Sequence, residues 1–132
     1  MNNNFKIIHQ YSRKQAIADG VLTDVSTNAK EAGIKWPVTL TVSVWSDYVK
    51  WSDEDNQRQT YQDESGRLSD LLWMLRLAMQ KASGDCDRVN FSFYCIPRGG
   101  RRTKPVLVTL KAIVSAGANF EPVITVMIPS ED

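Results

Sequence analysis

The sequence predicts an α+β fold, with N-terminal helices and one long helix packed on a three-stranded antiparallel sheet at the C-terminus. Two observations support this prediction. In the earlier part of the chain, apolar residues recur every three to four positions, as they do in amphipathic helices. In the last third they alternate with polar residues, as they do in strands. A length of 132 residues suits a single domain over residues 1–132.

Two short helices are predicted near the N-terminus. In "SRKQAIADG", Ser12 can cap a helix, Gln15 completes a capping box and Gly20 can end the helix. In "DVSTNAKEAG", Ser26 is the predicted cap and Gly33 the predicted stop. Before both helices, "FKIIH" is compatible with a short strand or an extended arm.

The segment "WPVTLTVSVWSDYVKW" carries two patterns. Apolar residues alternate with Thr and Ser up to Val44, which is typical of a strand. Leu40, Val44, Tyr48 and Trp51 instead recur at helical spacing. Because the helical pattern extends further, we predict a helix over residues 40–51.

A polar loop is predicted in "SDEDNQRQTYQDESG", which holds five acidic residues and one arginine. Asp53, Glu54 and Asp55 form a candidate second partner surface, since clustered carboxylates can imitate a row of phosphates or bind arginines. The alternative is a solvated loop. A calcium loop is disfavoured because Arg58 stands where an EF-hand requires glycine.

The clearest helix lies in "GRLSDLLWMLRLAMQKASG", with Gly84 at its predicted end. One side carries Leu68, Leu71, Leu72, Leu75, Ala78, Met79 and Ala82. Trp73, Met74 and Leu77 lie on the other side. Either the N-terminal helices cover this second stripe, or Trp73 and Leu77 belong to a partner surface, where tryptophan is a favoured anchor.

Three strands are predicted after residue 87, in "RVNFSFYCIP", "KPVLVTLKAIV" and "EPVITVMIP". Each alternates with a period of two, and the connections between them are short. These features predict an antiparallel meander.

The connection between the first two of these strands is strongly basic. From Pro97 to Lys104 it contains Arg98, Arg101 and Arg102 around two glycines, which permit a tight reversal. Guanidinium groups bind phosphate and carboxylate in a bidentate manner, so the loop is a candidate contact for nucleic acid or an acidic protein. Tyr94 is the best candidate for base stacking nearby. The structural alternative is a solvated hairpin tip whose charges discourage edge pairing.

Composition and charge limit the classes of function. The net charge of +1 gives no global basic excess, so any binding of nucleic acid must rest on a local patch. No signal peptide and no apolar run of membrane-spanning length is present, which predicts a cytoplasmic protein. Cys86 and Cys95 are then expected to be reduced, and Cys95 lies in an apolar stretch typical of a structural thiol.

No convergent catalytic set is found, so we predict no catalytic residues, no metal and no cofactor. His9 is the only histidine, and zinc sites built on Cys and His are disfavoured. "PRGGRRTKP" lacks the ending of a P-loop. Asp19 and Asp24 flank "GVLT" and could act as paired carboxylates, but aspartates near helix ends ordinarily stabilise turns.

Four blocks of the sequence resemble one family of small uncharacterised proteins. They are "YSRKQAIADGVLTDVS", "KEAGIKWPVTLTVSVW", "GRLSDLLWMLRLA" and "EPVITVMIPSED", and the resemblance covers nearly the whole chain. Members of that family carry a domain of unknown function and are found on plasmids, phages and other mobile elements. The resemblance implies a small accessory protein of a mobile element and carries over no site residues.

These observations lead to two expectations about function. The first is a non-enzymatic binding protein that blocks a host defence complex, as an anti-CRISPR does, through Arg98, Arg101, Arg102 and Lys104. The second is a direct nucleic-acid-binding protein that serves plasmid or phage maintenance or regulation. An enzyme acting through Asp19, Asp24 or His9 is a distant third. The oligomeric state and the identity of the target do not follow from the sequence.

Overall fold

The computed structural model describes residues 13–82, 87–117 and 119–131. The described strands are β1 (Leu22–Asp24), β2 (Val38–Thr41), β3 (Arg88–Cys95), β4 (Val106–Ala116) and β5 (Pro122–Met127). The described helices are α1 (13–18), α2 (Ser26–Glu31), α3 (Val42–Val44), α4 (Asp53–Arg58) and α5 (Glu64–Lys81), and a π-helical turn at Trp45–Val49 continues α3.

The strands form one mixed sheet in the order β1-β2-β5-β4-β3. The last three strands pair antiparallel with one another, as the alternation predicted. The prediction of a three-stranded antiparallel sheet is nevertheless wrong, because β2 pairs parallel with β5 and β1 pairs antiparallel with β2. Leu40 of β2 lies opposite Val126 of β5, so the early strand satisfies the edge of β5 that a meander would leave open.

The prediction of one helix over residues 40–51 is also wrong in its first part. The chain is extended through Thr41 and becomes helical only from Val42 to Val49. Thr41 makes the switch, because its backbone is extended and its Oγ1 accepts a hydrogen bond from the Val44 amide at 3.4 Å. Strand and helix patterns overlapped in the sequence because both elements share this short segment.

The predicted polar loop after residue 51 contains a helix. In α4, Ser52 and Asp55 form a capping box in which each side chain accepts a hydrogen bond from the backbone amide of the other. Asp55 is fully buried. The loop prediction failed because the acidic residues at the start of the segment favour a helix N-terminus as well as a solvated surface.

Two predicted helix ends are confirmed and one predicted cap is not. Gly20 and Gly33 both have positive φ, as expected for residues that end a helix. Val25, and not Ser26, occupies the cap position of α2. The Ser26 hydroxyl instead hydrogen-bonds to the carboxylate of Asp24 and accepts from the Val38 amide. Ser12 and the "FKIIH" segment lie outside the described residues.

Helix α5 covers one face of the sheet. Its residues Leu71, Leu72 and Leu75 are almost completely buried and belong to the same core cluster as Phe91 and Leu110. The N-terminus of α5 is capped by Asp63, whose carboxylate accepts from the Gly66 amide. Among the described residues, no helix is long and apolar enough to cross a membrane.

Candidate functional site

The basic connection between β3 and β4, residues 97–104, is here named the arginine loop. It connects the two strands beyond Cys95 and Val106, the last residue pair of the β3–β4 ladder. Gly99 has φ of 99°, a conformation that only glycine adopts without strain, so it makes the reversal as predicted. Gly100, the other predicted reversal residue, does not have positive φ.

A glutamine from the segment after α4 makes hydrogen bonds to the backbone of the arginine loop. Gln59, just after α4, is buried and uses all parts of its amide. Its Nε2 donates to the carbonyls of Pro97 and Arg102, both at 3.0 Å, and its Oε1 accepts from the Gly99 amide at 3.0 Å. The arginine loop is therefore fixed by three hydrogen bonds from outside the hairpin.

Arg98 is tied into the protein and does not point freely outward. Its Nε donates to Asp55 Oδ2 at 2.8 Å, and its amide donates to the Asp47 carbonyl at 2.9 Å. The Asp55 carboxylate also accepts from Arg58 and from Ser52. Arg98 was predicted to contact a partner, and the structure instead gives it an internal role.

The Asp55 carboxyl group has a strongly perturbed pKa. Burial raises the pKa, but the hydrogen bonds from Arg98 and Ser52, together with the charge of Arg98, outweigh burial and lower it to about 2. The buried carboxylate is therefore ionised at neutral pH and balances the cation that anchors the loop.

A buried arginine, Arg67, supports the same region. The guanidinium of Arg67 donates to the carbonyls of Ile96 at 2.8 Å and Val49 at 3.0 Å, and it lies 4.4 Å from the centre of the Trp51 ring. Burial lowers the pKa of Arg67. Because Val49 ends the π-helical turn, Arg67 satisfies a carbonyl that the irregular helix leaves without a helical partner.

The remaining cations of the arginine loop face solvent. Arg101, Arg102 and Lys104 are all exposed. Within the described parts of the chain, their side chains form no ion pair, whereas Arg98 and Arg58 both pair with Asp55. The loop thus presents three cations on a backbone that is held in place.

Tyr94 and the predicted second surface have mixed outcomes. Tyr94 is 70% exposed on the outer face of β3, where the alternation placed it. Asp53 and Glu54 are exposed, but Asp55 is buried and cannot belong to a contact surface. Trp73 is half-exposed, so the described N-terminal helices do not cover it, while Leu77 is partly buried.

The other polar candidates have local partners or lie outside the description. Asp19 accepts a hydrogen bond from Gln15 at 2.8 Å, and Asp24 accepts from Ser26. Burial raises the pKa of the Cys95 thiol to about 11, which keeps it protonated and unreactive at neutral pH. His9 and Cys86 lie outside the described residues, and the part of the chain that is described contains no cluster of His, Cys, Asp or Glu suited to a metal ion.

Comparison with protein families gives one match. The profile of a family of unknown function, DUF6573, matches residues 1–132. The chain belongs to the DUF6573 family. No curated protein and no solved structure matches this DUF6573 chain.

Three residues that organise the site of this DUF6573 protein were not singled out from the sequence in those roles. Gln59 and Arg67 gave no signal, because their partners are carbonyl groups more than ten residues away along the chain. Asp55 could have been recognised from the spacing of Ser52 and Asp55, which matches a capping box with aspartate at its fourth position.

Proposed function

We propose that this DUF6573 protein is a non-enzymatic binding protein that docks through the arginine loop onto an anionic surface of a host defence complex. It would act in the cytoplasm as an accessory protein of a mobile element, by steric and electrostatic blockade, as an anti-CRISPR does. The mobile-element setting comes from the sequence resemblance, and the contact chemistry comes from the loop.

The observation that carries the proposal is the bracing of the arginine loop. Gln59 and Asp55 hold its backbone and Arg98, while Arg101 and Arg102 stay exposed. A fixed backbone lowers the entropy that is lost when the exposed cations are immobilised on a partner. A solubilising hairpin tip would not require three hydrogen bonds from a buried glutamine.

The electrostatics also favour an anionic partner. Asp55 compensates Arg98 internally, so it does not neutralise the exposed Arg101 and Arg102. Guanidinium groups match both phosphate and carboxylate oxygens, and charge complementarity raises the rate of association. We therefore expect the interaction to weaken as salt concentration rises.

Direct nucleic-acid binding is the second candidate, and one observation favours it. Tyr94 is largely exposed and lies near the end of β3, just before the arginine loop begins. An exposed aromatic ring beside cations is suited to stacking on an unpaired base. In this case the protein would serve plasmid or phage maintenance or regulation.

Affinity capture from a host lysate tests the first candidate. The wild-type protein should recover a specific multi-subunit complex, and the double variant Arg101→Glu/Arg102→Glu should recover at least about tenfold less, as expected when charges across an interface become repulsive. The control Lys30→Glu/Lys35→Glu changes the net charge equally at exposed positions outside the loop. Equal recovery by both double variants would refute the role of the loop.

A gel-shift titration separates the two candidates. Direct binding predicts a shift of DNA or RNA by the purified protein, with an affinity that falls steeply as salt rises. Tyr94→Ala should weaken binding of single strands, and Arg101→Glu/Arg102→Glu should abolish the shift. No shift at low salt would eliminate direct nucleic-acid binding while leaving the first candidate in place.

A further inference from the structure

The outer edge of β3 offers a second surface, separate from the arginine loop. β3 stands at the end of the strand order, and β4 is its only neighbour among the described strands. Of its eight residues, Arg88–Cys95, only Arg88 is charged, and none is a proline or a lysine, the residues that most often protect an edge. Within the described parts of the chain, every second residue of this edge presents an N–H and a C=O group without a ladder partner.

Two adjoining pockets, both lined by Met74 and Ser92, form a groove between α5 and β3 along this edge. Near one end it has a volume of about 290 Å³ and is lined by Asp70 and Trp73 of α5 and by Tyr94 of β3. Toward the other end it is lined by Lys81 of α5 and Arg88 of β3. α5 and β3 therefore run in opposite directions along the groove, with an acidic group at one end and basic groups at the other.

Exposed apolar side chains line one end of the groove. Trp73 is 50% exposed and Leu107, which lies opposite Tyr94 in the β-ladder, is 59% exposed. Both residues line the groove together with Tyr94. Exposed aromatic and aliphatic side chains at this end can therefore pack against a partner.

The edge is complementary to itself. If two β3 strands pair antiparallel about Phe91, Arg88 of one copy lies opposite Tyr94 of the other, and Asn90 lies opposite Ser92. The first pair allows a cation–π contact and the second a hydrogen bond between polar side chains. Val89 and Phe93 then also lie opposite each other, so both faces of the ladder match.

The charged residues on α5 are also complementary under a two-fold rotation about Phe91. Asp70 and Lys81 are separated by about 16 Å along the helix, and Arg88 and Tyr94 by about 20 Å along the strand. Met74 and Leu77, midway between the two charges, line the groove beside Phe91. A rotation about Phe91 therefore brings the Asp70 end of one copy to the Lys81 end of the other.

We propose that two copies of this chain pair through their β3 edges and form a symmetric dimer with one continuous ten-stranded sheet. The shared surface is isologous, as expected for a two-fold dimer. A single extended peptide would also satisfy the edge, but the paired charges on α5 and the match of Arg88 with Tyr94 favour a second copy. The dimer carries two arginine loops, one at each end of the paired strands, and can bind an extended partner bivalently.

A charge-swap series, measured by sedimentation across micromolar to millimolar concentrations, tests the proposal. The wild type should be dimeric at high concentration. Asp70→Lys and Lys81→Asp each place like charges together twice in the dimer, and each should weaken dimerisation by about tenfold or more. The double variant D70K/K81D exchanges the two charges and should restore wild-type dimerisation. Both positions are exposed, so circular dichroism should show an unchanged fold.

A second pair of variants tests the strand register. Tyr94→Lys puts a cation opposite Arg88 of the second copy and should shift the protein toward monomer. Tyr61→Lys is the matched control, because Tyr61 is 84% exposed and lies outside β3 and α5. A wild type that stays monomeric at millimolar concentration would overturn the proposal. This holds even if the β3 edge is found to bind a peptide. Failure of the double variant to restore dimerisation would overturn the antiparallel register.

Discussion

Asp55 is the residue on which the local architecture of the site depends. It closes the capping box of α4 with Ser52 and also accepts the hydrogen bond that anchors Arg98. A carboxylate can do both because it offers two oxygens with several acceptor positions. An asparagine would keep the shape but lose the charge that balances Arg98 and Arg58.

Asp55 should make the protein acid-sensitive. Its pKa is lowered in the folded state to about 2, whereas an aspartate in the unfolded chain titrates near pH 4. The stabilisation is therefore complete above about pH 5 and is lost as pH falls toward 2. The two pKa values differ enough for a loss of about 2 to 3 kcal/mol in the free energy of unfolding.

Urea unfolding at a series of pH values measures this effect. Asp55→Asn should be less stable than wild type at pH 7 by about 3 kcal/mol, since it leaves a partly buried cation unpaired. The variant should also lose less stability than wild type between pH 5 and pH 3. Asp53→Asn, an exposed change on the same helix, is the control and should follow the wild-type curve. Parallel curves for wild type and Asp55→Asn would contradict this assignment.

At the scale of elements, α4 and the arginine loop form one unit. Asp55 and Gln59 lie four residues apart, at the start and just beyond the end of the helix, and both reach the loop. The segment that the sequence predicted to be a polar loop is therefore the support on which the basic loop rests. Opposite charges in the two segments meet in the interior and not across an interface with a partner.

Replacing Gln59 should loosen the arginine loop. Gln59→Ala removes three hydrogen bonds and should lower the free energy of unfolding by about 2 kcal/mol. The Gly99 amide should also exchange with solvent faster, which hydrogen exchange measures. Gln57→Ala, an exposed change on α4, should have neither effect. If Gly99 exchanged at the wild-type rate in Gln59→Ala, the bracing role would be wrong.

At the scale of the whole molecule, the sheet joins distant parts of the chain. β2 comes early in the sequence and yet lies between β1 and β5, with its pairing to β5 parallel. Thr41, at the end of β2, also donates to Glu131 at 2.9 Å, near the C-terminus. The chain thus returns at its end to a strand formed by its first third.

The position of β2 inside the sheet, between β1 and β5, predicts a sharp contrast between Leu40 and Val42. Leu40 is completely buried in the sheet, whereas Val42, just beyond it, is exposed. Leu40→Ala should lower the free energy of unfolding by about 2 to 5 kcal/mol, because it leaves a cavity in the core. Val42→Ala should change it by only about 0.5 kcal/mol. Chemical denaturation of both variants measures the difference, and equal effects would contradict the role of β2.

The sequence by itself determined those elements in which apolar residues recur with a single clear period. The long helix, the three closing strands and the glycine-made reversals at Gly20, Gly33 and Gly99 follow from local patterning and backbone chemistry. It also placed Arg101, Arg102 and Tyr94 on exposed positions. Such features depend on neighbours within a few residues, so a pattern in the sequence is sufficient to reveal them.

Only the tertiary structure decided the remainder, because the deciding contacts join residues far apart in the chain. β2 is a strand because β1 and β5 supply its hydrogen-bond partners. Arg98 is internal because Asp55, 43 residues earlier, is buried beside it. An arginine has the same appearance in a sequence whether it binds a partner or its own protein. Its role depends on where the fold brings the opposite charge.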